Sequence, residues 1–280
     1  MTVAAGPVPL ILAVAPNGAR KTKADHPALP MNADEIGLAA AACRAAGAVM
    51  IHLHVRTPEG THTLDADLYN AAIAAVRRQA GPDFIIQVTS ESVGLYTPDQ
   101  QRAMVKSVRP EAVSLAIREL CATPEDEPEF AAFTEWMVRE SVHPQYILYD
   151  ADDVARFADL QRRGVLSSEG DFILYVLGRY SKSLTSDPTD LLPFLAMAQA
   201  QALTNPWAMC AFGPKEAACG LTAAALGGHC RLGFENNLRL ANGEIAPDNA
   251  HLIAQIADNA VLAGRVLADE HSARLALGIK

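Results

Sequence analysis

Two histidines one residue apart are the first sign of chemistry in this chain. They sit in Val49-Met50-Ile51-His52-Leu53-His54-Val55-Arg56, a run rich in β-branched residues that predicts a buried strand. Side chains alternate along a strand, so His52 and His54 aim at one side and Ile51, Leu53 and Val55 at the other. Two imidazoles on one strand face can share a metal ion. Two hydrogen-bonded histidines at a strand end would show the same spacing, so a further ligand must decide. Glu235, in Arg231-Leu232-Gly233-Phe234-Glu235-Asn236-Asn237, is the candidate, although alone it reads as a loop carboxylate capping backbone.

The elements that must position these residues alternate strand and helix from Leu10 onward. The predicted strands are Leu10–Val14, the histidine run, Phe84–Val88, Ala112–Ala116, Gln145–Tyr149, Phe172–Leu177, Pro206–Ala211 and His229–Gly233. Helices are expected from the Asn32 cap to Ala46, with Glu35 in a capping-box position, from the Asp65 cap to Ala80, and from Thr97-Pro98 to Val108. Further helices are expected over Phe130–Ser141, Ala151–Arg163, Asp187–Ala202 and Pro214–Leu226, with Pro247–Ala263 closing the chain. Thr57–Thr63 reads as a loop, as does the acidic stretch that ends at Glu129. Eight such units predict an α/β fold, a (β/α)8 TIM barrel forming one domain over residues 1–280. Apolar runs without clean alternation suit parallel strands covered by helices. The alternative, a doubly wound sheet, lacks its Gly-x-Gly-x-x-Gly after the first strand.

In such a barrel chemistry sits at the C-terminal strand ends. Strand eight adjoins strand one, and strand one adjoins strand two, so Glu235 can reach His52 and His54. Two imidazoles and a carboxylate leave an open position on Zn²⁺; the same ligands can hold Fe²⁺ or Mn²⁺. The other strand-end residues are Asn17 and Arg20, Thr89, Ser90 and Glu91, Ser114, Tyr149 and Asp150, and Arg179, Ser181 and Lys182. Arg20, Arg56, Arg179, Lys182 and Arg231 are many cations for one rim, and such groups bind carboxylates or phosphates.

The 280 residues are half hydrophobic, enough for a large core, and carry a net charge of −9 with no basic tract, which argues against nucleic acid. No apolar run reaches membrane-spanning length, and Met1–Leu12 has no basic region before its apolar stretch, so neither a membrane span nor a secretory signal is expected. Five cysteines without a Cys-x-x-Cys pair predict a reduced, cytoplasmic protein. His229, Cys230, Trp136 and Trp207 read as structural. His26, His62, His143, His251 and His271 have no comparable partners.

Jointly, several segments resemble the zinc-dependent β-keto acid cleavage enzymes. They are Ala13-Val14-Ala15-Pro16-Asn17-Gly18-Ala19 with Ala24-Asp25-His26-Pro27-Ala28-Leu29-Pro30, then Ile51-His52-Leu53-His54-Val55-Arg56, Ile86-Gln87-Val88-Thr89, Val176-Leu177-Gly178, and Gly227 through Asn237. The resemblance implies a homotetrameric barrel with Zn²⁺ on His52, His54 and Glu235. It implies that a β-keto acid and acetyl-CoA give acetoacetate and a new acyl-CoA. It places substrate-contacting hydroxyls at Thr89 and Ser114, and a catalytic arginine at Arg231.

Two departures bear on substrate. The family's Asp after the metal-binding Glu is Asn236 here, which cannot take a proton. A glutamate that meets an ammonium group in the aminohexanoate enzyme is Arg20 here, so an anionic or neutral distal group is expected. Strand five, Glu-rich in relatives, reads Gln145-Tyr146-Ile147-Leu148-Tyr149-Asp150. Two other readings stand beside this one. One is a metal-dependent hydrolase of amidohydrolase type, whose His-x-His normally ends the first strand. The other is a catalytically weak ligand-binding relative.

Overall fold

In the computed structural model eight parallel strands close into a barrel. They are β1 (Leu12–Val14), β2 (Met50–Leu53), β3 (Ile85–Thr89), β4 (Ala112–Ala116), β5 (His143–Leu148), β6 (Phe172–Leu177), β7 (Trp207–Ala211) and β8 (His229–Leu232). Each pairs with its neighbours in sequence, and β8 returns to β1. The structure describes residues 8–166 and 171–279, so residues 1–7 of the Met1–Leu12 segment lie outside the described residues. The expected (β/α)8 barrel is the observed architecture.

Alternation along the strands sorts side chains into two layers. Leu12, Val14, Ile51, Leu53, Ile86, Val88, Val113, Leu115 and Met209 pack outward under the helices. Ile11, Ala13, Met50, Ile85, Ala112, Leu174 and Cys210 fill the barrel's interior. By the same period of two, His52, Gln87, Thr89, Ser114, Gln145 and Arg231 share the inner face, one or two steps closer to the C-terminal end. Register sets them side by side, with His52 opposite Gln87 and Thr89 opposite Ser114. The apolar floor thus carries a polar layer.

Local signals fix most helices. Asn32 caps Ala33–Ala45 by accepting from the Glu35 amide, Asp65 caps Ala66–Ala80, and Thr97 with Gln100 forms a capping box ahead of Pro98–Val108. Glu35 itself reaches the Met31 amide, one residue beyond the box position. The acidic stretch read as loop contains a short helix over Ile117–Leu120 and a 3-10 turn over Pro124–Asp126, and the helix after it starts at Glu127. The expected closing helix Pro247–Ala263 is split into Asn249–Ala257 and a 3-10 turn over Ala260–Ala263. The Asn259 side chain donates to the Gln255 carbonyl, which its own backbone amide would otherwise use. A further helix, Glu270–Leu277, follows an Asp269 cap. Its Ala273 and Leu277, with Ile279, pack beneath Ile11, Val49 and Ile85 and close the N-terminal end of the barrel.

One expected strand is broken. The histidine run holds its ladder only to Leu53; Val55–Arg56 instead pairs antiparallel with His62–Thr63, inside the expected Thr57–Thr63 loop. The cause is Asn17. Its amide donates to the His54 carbonyl at 2.9 Å and its oxygen accepts from the His54 amide at 3.4 Å. A side chain thereby takes the place of a neighbouring strand.

Candidate metal centre and its cavities

His52 and His54 meet at the C-terminal mouth of the barrel, with Nε2 atoms 3.1 Å apart. Glu235, just past β8, places Oε2 3.5 Å from each of those nitrogens. Both histidines are buried, and Glu235 Oε2 has no hydrogen-bond partner among the described residues. The His52 Nδ1–H donates to Gln87 Oε1 at 2.7 Å, and Gln87 Nε2 donates to Gln145 at 3.1 Å. That chain puts the proton of His52 on Nδ1 and leaves the Nε2 lone pair facing the carboxylate.

Burial, aided by nearby Arg231, holds the His52 imidazole well below its ordinary range, so it is neutral. Burial, the largest single effect, would raise the Glu235 carboxyl, but Arg231 together with the two facing histidines outweighs it and holds Glu235 well below the usual carboxylate range. Neutral imidazole and ionised carboxylate are the states that bind metal. Edges of a tetrahedron with bonds of about 2.0–2.1 Å are about 3.3 Å long. Three electron-rich atoms at that spacing, one of them orphaned, fit a single divalent ion.

Glycines permit this approach. Gly18 has φ +60°, and a Cβ there would lie 2.6 Å from Glu235 Cγ. Gly233 has φ +139°, and a Cβ there would lie 2.4 Å from the Ala15 carbonyl oxygen. Arg231 is buried and donates to Glu235 Oε1 at 3.2 Å and Cys210 Sγ at 3.3 Å, while its Nε has no partner among the described residues. The Thr89 and Ser114 hydroxyls lie 3.5 Å apart, both buried, on the same inner cavity as the three metal-ligand candidates.

That inner cavity, about 30 Å³, also meets Tyr149, Ile147 and Val176. It adjoins an outer cavity of about 360 Å³. Glu91, Arg179, Phe212 and Glu235 line both and so form the throat between them. Asn236 is buried on the outer cavity, with neither its amide nitrogen nor its oxygen partnered among the described residues. Asn17 lines it too, but its amide is engaged by Pro30 and His54 backbone. Arg20 is more than half exposed and pairs with Glu91 at 3.3 Å.

Not every rim cation is available. Arg56 is buried and spends its guanidinium on the carbonyls of Gly18, Lys21 and Gly60. Lys182 is exposed and lines neither cavity.

Several contributors escaped sequence reading. Lys21, next to Arg20 in the chain, donates to the Glu235 carbonyl at 2.7 Å. His62 lies with its ring centroid 5.3 Å from that of His54 and donates to the Glu91 carbonyl, positions the hairpin alone creates. Glu216, pushed up to about 8 by burial, accepts from Gly233 N and Asn237 Nδ2 and so braces the turn bearing Glu235. Its place at a helix start was the only signal it gave.

A family model described as BKACE, beta-keto acid cleavage enzyme, matches residues 9–279. A 3-keto-5-aminohexanoate cleavage enzyme from Fusobacterium nucleatum is 29% identical over 281 residues, covering 97% of this chain and 98% of that protein. A 3-oxoadipate:acetyl-CoA acetyltransferase from Cupriavidus necator is 27% identical over 275 residues, 97% of this chain and 95% of that protein. Among solved structures, ObcA without ligand superposes with a TM-score of 0.73 at 17% identity, over 90% of this chain and 66% of ObcA, a likeness of fold. This chain thus spans about two thirds of ObcA's length.

Proposed function

Because this chain belongs to the beta-keto acid cleavage enzyme family, we propose that it is an acyltransferase that exchanges acyl groups between a β-keto acid and acetyl-CoA. The products are acetoacetate and a new acyl-CoA. The acetyl group passes from sulfur to the α-carbon of the keto acid, and the keto acid's own acyl group passes from that carbon to sulfur. The observation that carries this reading is the convergence of His52, His54 and Glu235 at the barrel mouth of a chain matching that family.

A Zn²⁺ ion on those three residues would supply Lewis-acid polarisation of the keto acid's oxygens. Gln87 keeps His52 in the required tautomer. The Arg231 guanidinium is placed to stabilise negative charge that develops beside Glu235. Thr89 and Ser114 offer hydroxyls to the substrate inside the inner cavity. Asn236 contributes hydrogen bonds rather than proton removal, since an amide does not titrate. Asn17, a strand-end residue where a substrate contact is expected from the sequence, serves here by positioning His54. Arg20 and its partner Glu91 stand at the entrance, where an anionic or neutral distal group is tolerated better than an ammonium. The relatives' names span both kinds, one acting on an amino keto acid and one on a dicarboxylic keto acid. Acetyl-CoA approaches through the outer cavity.

The protein works as one catalytic domain in the cytoplasm, as a homotetramer. No helix among the described residues is long and apolar enough to cross a membrane. Exposed Val261, Leu262, Val266 and Leu275 supply apolar surface for assembly.

The test is acetoacetate production by metal-loaded protein given acetyl-CoA and a panel of β-keto acids. Product that requires acetyl-CoA and disappears in His54→Ala supports the proposal. Turnover without acetyl-CoA would restore the hydrolase alternative, and binding without turnover would restore the weak relative.

A further inference from the structure

We propose that Arg179 is the specificity-determining residue of this site, and that it binds a carboxylate at the far end of the keto acid. This rests on the acyl-exchange reading above and names the substrate subclass, a β-keto dicarboxylate. The inner cavity is small, about 30 Å³, and its polar groups are those that suit the keto acid's head. A tail attached to that head must leave through the throat formed by Glu91, Arg179, Phe212 and Glu235.

The throat holds three charged side chains, and two are already committed. Glu91 is paired with Arg20 at 3.3 Å, and Glu235 faces the two histidines and Arg231. Arg179 has no carboxylate partner among the described residues. Its guanidinium is instead held by ring faces, with Cζ 5.7 Å from the Phe212 ring centroid and 5.8 Å from that of Tyr180. Ring contacts fix a guanidinium in place but leave its in-plane N–H groups free, and those groups match a carboxylate bidentately. With both acidic neighbours neutralised, the tail meets a positive charge. Arg20, half in solvent and already paired, is the weaker anchor.

The experiment compares 3-oxoadipate with its distal monomethyl ester as substrates for wild type, Arg179→Met and Arg179→Lys, with KM for acetyl-CoA measured alongside. Wild type is expected to prefer the free dicarboxylate. In Arg179→Met the ratio of kcat/KM for the two substrates is expected to fall about 100-fold, the worth of a charge-assisted pair. Arg179→Lys should recover part of that ratio, which also shows that the position tolerates replacement. An unchanged ratio in Arg179→Met, or a rise confined to KM for acetyl-CoA, overturns the inference. So does a wild type that makes acetoacetate from both substrates without preference. A wild type that makes none from any β-keto acid overturns the functional reading itself.

Discussion

The side chain of Asn17 grips the backbone of His54, holding its carbonyl at 2.9 Å and its amide at 3.4 Å from opposite ends of one amide group. This contact ends the β2 ladder and brings the second imidazole round to face the first. Asn17→Ala would leave that buried carbonyl and amide unpartnered, at a cost of about 1–3 kcal/mol. Thermal unfolding should show the loss, and metal affinity measured by chelator competition should fall with it. An Asn17→Ala protein with wild-type affinity for Zn²⁺ would show that His54 holds its position without help.

Gln87 acts on the other histidine. Its oxygen accepts the His52 Nδ1 proton within a buried amide chain that continues to Gln145. Gln87→Leu removes the acceptor while keeping a comparable volume. Zn²⁺ affinity is expected to drop about 10–100-fold, the usual effect of losing such a partner. Gln87→Glu should retain more of it than Gln87→Leu, because a carboxylate still accepts from Nδ1.

Gly18 makes room for Glu235. An alanine there must keep a left-handed φ of +60° and would press its Cβ on Glu235 Cγ. The backbone strain alone is about 1–2 kcal/mol. The expected signature is a metal affinity reduced more than that strain explains, since the displaced group is one of the three proposed ligands. Unfolding measured with and without Zn²⁺ separates the two effects.

Arg20→Glu exchanges the Arg20–Glu91 pair for two facing carboxylates at the entrance. Conversion of a dicarboxylic keto acid should fall at least several-fold, while that of a keto acid with a distal ammonium should fall less or rise. Undiminished kcat/KM for the dicarboxylate would remove Arg20 from the specificity argument.

Stability should weaken on the acid side because of His229. Its Nδ1 accepts from the Ile11 amide at 3.1 Å in the barrel floor, and burial lowers the imidazole to about 4 from an ordinary 6.5. Between those values the unfolded chain binds a proton that the folded chain refuses, so stability rises with pH across that window. The contribution is present above about 6.5 and is lost as pH falls toward about 4. From pH 7 to pH 5 the loss is about 2 kcal/mol, readable as a lower urea midpoint. His229→Asn should reduce that slope, leaving the share due to His143 and His62, which burial lowers to about 4 and about 3.

Much of the site's composition was legible in the chain. The strand period of two placed His52 on the inner face, Gly233 and Phe234 led into Glu235, and eight strand–helix units put β8 close enough to β2 for three candidate ligands to meet. Local caps such as Asn32, Asp65 and Thr97 marked their helices because a cap is a matter of neighbours within one turn. The break after Leu53 was not legible, because it depends on a side chain 37 residues away. The same holds for Gln145 behind Gln87, for Lys21 on the Glu235 carbonyl, and for Glu216 beneath the Glu235 turn. Arg56 and Arg179 look alike in sequence, yet one is spent on loop carbonyls and the other faces a cavity between two rings. Sequence determined which groups are available and how they repeat along each element, since those follow from covalent order and backbone period. Only the closed barrel decided which groups find partners and which are left free, because pairing depends on distances between strands that the chain order does not contain.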